Sequence, residues 1–110
     1  MNADGRVDGV IIRMWKGKVK IGMATDYRRH LQATVFPQLR KLPGFLGAQL
    51  LDRDQNGGSE VVVMTRWDSM DAVRKFAEDQ PDRAVVEPRA REVLASFDDT
   101  VAHYEVVLEA

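Results

Sequence analysis

Residues Glu60–Gln80 read EVVVMTRWDSMDAVRKFAEDQ, and this stretch decides the fold. Val61, Val62, Val63 and Met64 form an apolar, largely β-branched run that ends at Trp67, the signature of a strand. Side chains alternate along a strand, so Val61, Val63, Thr65 and Trp67 share one face and Val62, Met64 and Arg66 the other. Both faces are mainly apolar, which predicts cover on both sides. Across Asp68–Ser69 the pattern becomes helical. Asp68 or Ser69 caps the helix, with Asp71 in its first turn, and Ala72, Val73, Phe76 and Ala77 form the buried stripe. Trp67 therefore stands where sheet, turn and helix meet. Its indole has a large apolar surface and one N–H that needs a partner, which suits a core corner first and a pocket wall second.

Upstream, Phe45–Asp54 (FLGAQLLDRD) reads as a strand, and Gln55-Asn56-Gly57-Gly58 is a hairpin signal that makes it the antiparallel neighbour of the Trp67 strand. Before it, Met23, Tyr27, Leu31, Val35 and Leu39 recur at four-residue steps, which predicts a long helix over about Met23–Leu42. Pro37 removes one backbone donor and crowds the preceding turn, so a kink or an end is expected near Val35. Leu42-Pro43-Gly44 stops the helix after the favourable cations Arg40 and Lys41. Val10–Gly17 is the first strand, with Ile11, Arg13 and Trp15 on one side. An arginine between large apolar groups implies a partly covered face or an anionic partner, either a carboxylate or a bound ligand.

Downstream, Pro81–Phe97 carries scattered apolar positions broken by Pro88 and is read as two short helical pieces. Thr100–Leu108 is the last strand, with His103, Glu105 and Val107 alternating with Tyr104, Val106 and Leu108. Residues 1–9 are polar and expected to fray, which leaves 10–108 as one domain. The order strand, helix, strand, strand, helix, strand specifies an α+β, ferredoxin-like fold: a four-stranded antiparallel sheet with both helices on one face. Two helices cover only that face. The other, also apolar, calls for a second copy of the chain, which predicts a homodimer packed sheet to sheet.

The 110 residues are 45% hydrophobic, enough for a core, and a net charge of -1 gives no electrostatic case for nucleic acid or an anionic membrane. Without cysteine there is no disulfide, thiolate nucleophile or Cys-based zinc site. No apolar run approaches the ~18 residues of a membrane span, so a cytoplasmic protein is expected. The glycines lack nucleotide-loop spacing, and two histidines far apart in sequence make no metal site. His30, one turn after Asp26 and beside Arg29, is read as part of a solvated helix face. His103 shares a strand face with Glu105 and is read as a partly exposed group at a dimer edge. The charged, Pro-broken segment Arg83–Arg91 is either a lid or an irregular connection.

The segments IIRMWKGKV, LPGFLGAQLL, VVVMTRWDSMDAVRKFA, AVVEPRA and VAHYEVV, spread from Val10 to Val107, together resemble the antibiotic biosynthesis monooxygenase family. The resemblance implies the dimeric α+β barrel, the same architecture as the strand and helix pattern. It further implies a pocket between sheet and helices for an aromatic or polyketide-like small molecule, which as its anion reduces dioxygen without metal, flavin or other cofactor. Residues that can serve there are Arg13, Trp15 and Phe76 as substrate contacts, Trp67 as a wall, Arg66 as a further electrostatic stabiliser, and His103 or Tyr104 for proton transfer. Haem degradation, another activity of the family, is not expected, because the histidine position of that branch falls near Val86 or Glu87. The competing readings are a non-catalytic dimeric binding or stress-response module and a polyketide cyclase or isomerase using the same pocket.

Overall fold

The computed structural model describes residues 9–78 and 80–110. The segment 1–9, expected to fray, lies outside the described residues except for Gly9. In chain order the elements are β1 (Ile11–Val19), α1 (Ala24–His30), a π-helical turn (Leu31–Val35), α2 (Phe36–Leu39), β2 (Phe45–Gln55), β3 (Gly58–Trp67), α3 (Met70–Ala77), α4 (Pro88–Val93), β4 (Leu94–Phe97) and β5 (Ala102–Glu105). All strand pairings are antiparallel.

β1 pairs with β3 over its whole length, from Ile11 opposite Trp67 to Val19 opposite Ser59. β3 pairs in turn with β2, and Gln55 faces Gly58 across a two-residue turn in which Asn56 and Gly57 have φ of 50° and 83°. Two left-handed residues are what a hairpin turn matching the twist of its strands needs, and Asn-Gly supplies them at low strain. On its other edge β1 meets two short strands in succession, β5 along Ile11–Met14 and β4 along Gly17–Val19. The order β2-β3-β1-β4, with β5 following β4 along the same edge of β1, is that of a ferredoxin-like sheet whose fourth strand position is split.

One expectation needs correction here. Pro81–Phe97 is not two helical pieces: only Pro88–Val93 is helical, and Leu94–Phe97 is the strand β4. The free edge of β1 at Gly17–Val19 supplies hydrogen-bond partners that outweigh a weak local helical preference. Of the two outcomes expected near Val35, a kink or an end, the helix with Pro37 does not take the second. It widens into the π-helical turn, where the Phe36 N–H donates to the Leu31 carbonyl, and continues to Leu39. The wider turn accommodates a residue that has no N–H and whose ring would crowd the Ala33 carbonyl.

Alternation decides which face the helices cover. Ile11, Arg13 and Val19 of β1 and Val61, Thr65 and Trp67 of β3 are buried beneath them. One core gathers Ile11, Leu39, Trp67, Ala72 and Val73, and a second gathers Val19, Tyr27, Leu31, Val61, Ala90 and Leu94. Ser69 caps α3 by accepting from the Ala72 N–H at 3.1 Å. Gly44, at φ of 80°, enters β2 so close to this cap that a Cβ would stand 2.6 Å from both Ala72 Cβ and Asp68 Oδ1. Only glycine fits there.

Candidate functional site

Between the rows of the sheet that feed the two cores lie the rows Thr65–Arg13–His103 and Val63–Trp15. The first is polar, so helices and sheet do not close over it as they do over the flanking rows. A cavity of about 260 Å³ opens there. Its floor is Arg13, Trp15, Val63 and Thr65; its roof is Tyr27, His30, Leu31, Val35, Gln38 and Leu39; Phe76 of α3 and the strap Val85–Glu87 close its sides. A mostly apolar pocket with few polar groups is the usual form of a small-molecule site.

Arg13 is 5% exposed, and among the described residues its hydrogen-bond partners include no carboxylate, one of the partners its place on the face allowed. Nη1 donates to the Pro81 carbonyl and, at 2.9 Å, to His103 Nε2, while Nη2 donates to the Arg83 carbonyl at 2.9 Å. The guanidinium also lies 5.4 Å from the centre of the Phe76 ring. Burial lowers its pKa to about 10, against the attraction of Asp82, so it stays charged at neutral pH. Of its five N–H groups, the three so engaged fix the plane of the cation. The other two have no partner among the described residues.

His103 is partly exposed, and its ring meets Arg13 and Asp82, not Glu105. Its Nε2 accepts from Arg13, and Nδ1 stands 3.5 Å from Asp82 Oδ1. Burial first, and then the Arg13 charge, lower its pKa against the opposing pull of Asp82, which favours the neutral ring with its proton on Nδ1. Nε2 is thus occupied, and Nδ1 faces a carboxylate. Trp15 is held by its Nε1 donating to the Asp98 carbonyl at 2.8 Å, with its ring 6.1 Å from that of Phe97.

The other residues singled out in the sequence lie elsewhere. Trp67 is fully buried; its Nε1 donates to Thr65 Oγ1 at 2.8 Å and its ring packs 5.3 Å from Phe45 and 5.2 Å from Phe76. It backs the cavity wall through Phe76 and does not line it. Arg66 and Tyr104 are on the opposite face of the sheet, Arg66 3.8 Å from Glu109 and Tyr104 exposed.

Five polar residues of the cavity, Tyr27, His30, Gln38, Thr65 and Glu87, were not proposed as site residues from the sequence. Thr65 was legible from its place on the Trp67 face. Tyr27 belongs to the helical stripe, and burial raises its pKa, so the phenol remains a neutral donor. His30, expected in solvent, is 7% exposed and lines the cavity. It lies three residues after Tyr27 and one before Leu31, so it falls on the buried side of that stripe. Among the described residues no three His, Asp or Glu side chains gather as a metal site, and no helix is long and apolar enough to cross a membrane.

The family model for antibiotic biosynthesis monooxygenase matches residues 10–88. No curated protein matches the chain. Among solved structures it is similar to a candidate antibiotic biosynthesis monooxygenase of Bacillus cereus, at 23% identity and a TM-score of 0.65 over 93% of this chain and 97% of that one. It is similar to the haem-degrader MhuD of Mycobacterium tuberculosis, with two haems bound in its active site, at 24% identity and a TM-score of 0.64 over 91% and 98% of the two chains. It is also similar to SnoaB, a cofactor-independent oxygenase of Streptomyces nogalater, at 16% identity and a TM-score of 0.59 over 93% and 95%. At these identities the likenesses show a common fold.

Proposed function

The chain belongs to the antibiotic biosynthesis monooxygenase family, and on that premise we propose that it is an oxygenase which binds an aromatic or polyketide-like small molecule in the cavity over Arg13 and oxidises it without metal or flavin. One observation carries the reading: a buried guanidinium, with no ion pair among the described residues and two N–H groups to spare, in the floor of a mostly apolar cavity. An electron-rich ring gives an electron to dioxygen far more readily as its anion. A fixed cation in a water-poor site favours that anion without reorganising during the reaction. Trp15 and Phe76 hold the ring from two sides, while Trp67 supports Phe76 from behind. The role of His103 is to hold Arg13.

Arg66 and Tyr104 have another place in this reading. The open face of the sheet presents half-buried Ile12, Met14, Val62 and Met64 and exposed Leu51. We propose that it is covered by a second copy, with Arg66 and Tyr104 in or beside the contact.

The test is dioxygen uptake by the purified protein with a panel of dihydroxynaphthalenes and hydroxyanthracenes, corrected for autoxidation. Uptake by wild type is expected to fall by roughly tenfold or more in Arg13→Met, the loss of a hydrogen bond to a charged group, and to be little changed in Arg66→Ala. Binding without uptake would instead favour the non-catalytic module.

A further inference from the structure

Both ring nitrogens of His30, in the roof of the cavity, are buried without a hydrogen bond among the described residues. The residue as a whole is 7% exposed. Buried donors and acceptors left unsatisfied destabilise a fold, and such a group in a folded protein calls for an explanation. Its nearest polar neighbour is Glu87, whose Oε2 stands 3.5 Å from Nε2 on the strap that borders the cavity. Each ring thus has a carboxylate oxygen at 3.5 Å, but His103 also accepts a hydrogen bond from Arg13, and His30 makes none among the described residues.

Resting on the oxygenase reading above, we propose that His30 accepts the hydroxyl proton of the bound molecule. The substrate is then a phenol or an enolisable ring with an ionisable O–H, placed between the sheet and α1. In that step the O–H bond breaks, the proton passes to a ring nitrogen of His30, and the oxygen keeps the electron pair as a phenolate or enolate. Arg13 in the floor favours the new anion, and the Glu87 carboxylate faces the new imidazolium. The two charged products of the transfer each meet an opposite charge in place. With no hydrogen bond locking either edge, a half-turn about χ2 exchanges ring nitrogens for carbons, so the imidazole can turn a nitrogen to a bound molecule. The strap gives it room: Val85 and Val86 make no backbone–backbone hydrogen bond among the described residues, Arg91 Nε donates to the Val86 carbonyl only at 3.4 Å, and Val85 is 55% exposed.

The experiment compares calorimetric binding of 1-naphthol and 1-methoxynaphthalene, which share a ring system but not the proton. Wild type is expected to prefer the naphthol by about tenfold. His30→Phe is expected to abolish that preference while leaving the ether's affinity within about twofold. In the same variant the free protein is expected to melt roughly 4 °C or more above wild type, because an apolar ring replaces unsatisfied polar atoms. A structural histidine satisfied by water or by Glu87 would give the opposite, a lower melting temperature with the naphthol preference intact, and would overturn the assignment. A Soret band on adding hemin that His30→Phe removes would make the imidazole an iron ligand and overturn it equally. Should the variant not fold, ring-nitrogen NMR of wild type decides: 1-naphthol shifts the His30 resonances and the ether does not, and a bound naphthol without that shift sinks the proposal. Failure of both probes to bind would overturn the cavity reading itself, and His30's role with it.

Discussion

The two edges of β1 are built differently. Toward β3 the pairing is continuous over nine residues. Toward the other edge it is divided between β5 and β4, and residues 98–101 loop out between them. The continuous side is held by shape, with Trp67 wedged among Phe45, Phe76 and the α3 cap. The divided side is held by polar side chains reaching backbone: Trp15 to the Asp98 carbonyl and Arg13 to the carbonyls of Pro81 and Arg83. Regular pairing satisfies its own backbone and leaves side chains free to pack. An interrupted edge leaves carbonyls that recruit an arginine and an indole into the wall of a cavity. The same interruption that weakens the sheet thus equips the site.

The largest test of this contrast is Trp67→Ala. Removing a fully buried aromatic from the continuous side is expected to cost about 3–5 kcal/mol, read as a fall in the urea midpoint at unchanged slope. A cost near that of an ordinary surface substitution would mean that the two sides are not so unlike. Arg13→Ala should act locally instead. Losing three hydrogen bonds from a charged donor set is expected to speed amide exchange at Ala84 and Val101, which bond to Asp99 and Asp82 beside the strap, by roughly tenfold or more. Amides of the β2–β3 hairpin should be unaffected. Equal acceleration on both sides would make Arg13 a global support and remove the distinction.

The same division governed what could be read from sequence. The continuous side follows local rules: period-two alternation in Val61–Trp67, Asn56-Gly57 at the turn and Ser69 before a helical stripe each specify their structure within a few residues. The divided side does not. Whether Leu94–Phe97 becomes helix or strand depends on the open edge of β1, some 75 residues earlier in the chain. Arg13 announced itself as an anomaly on an apolar face, yet its partners are carbonyls, which any sequence can supply and none advertises. His30 was misplaced because the stripe was traced only in steps of four; a step of three from Tyr27 reaches it. Arg66 is next to Trp67 in sequence but on the other face of the sheet, and parity alone could not say which face the helices would take.

The finest test concerns pH and falls on the divided side alone. His103 accepts a hydrogen bond from Arg13, and burial together with that cation lowers its pKa below the ordinary 6.5 despite Asp82. The unfolded chain therefore binds a proton here at a pH where the folded chain still refuses it, so stability rises with pH across the window just below 6.5 and levels off above it. Below the folded pKa both states carry the proton and the slope vanishes. As the ring is protonated Nε2 turns from acceptor to donor, and the Arg13 clamp on the strap is lost. Exchange at Ala84 and Val101 should therefore slow less, as the solution is acidified from neutrality to about one unit below the ordinary value, than base-catalysed exchange chemistry alone dictates, while the hairpin slows by the full amount. His103→Gln, which keeps an uncharged amide near Arg13, should remove the difference between the two edges. If the variant and wild type show the same acid response, the loosening comes from carboxylates elsewhere, and the His103–Arg13 bond is a contact that the divided edge does not depend on.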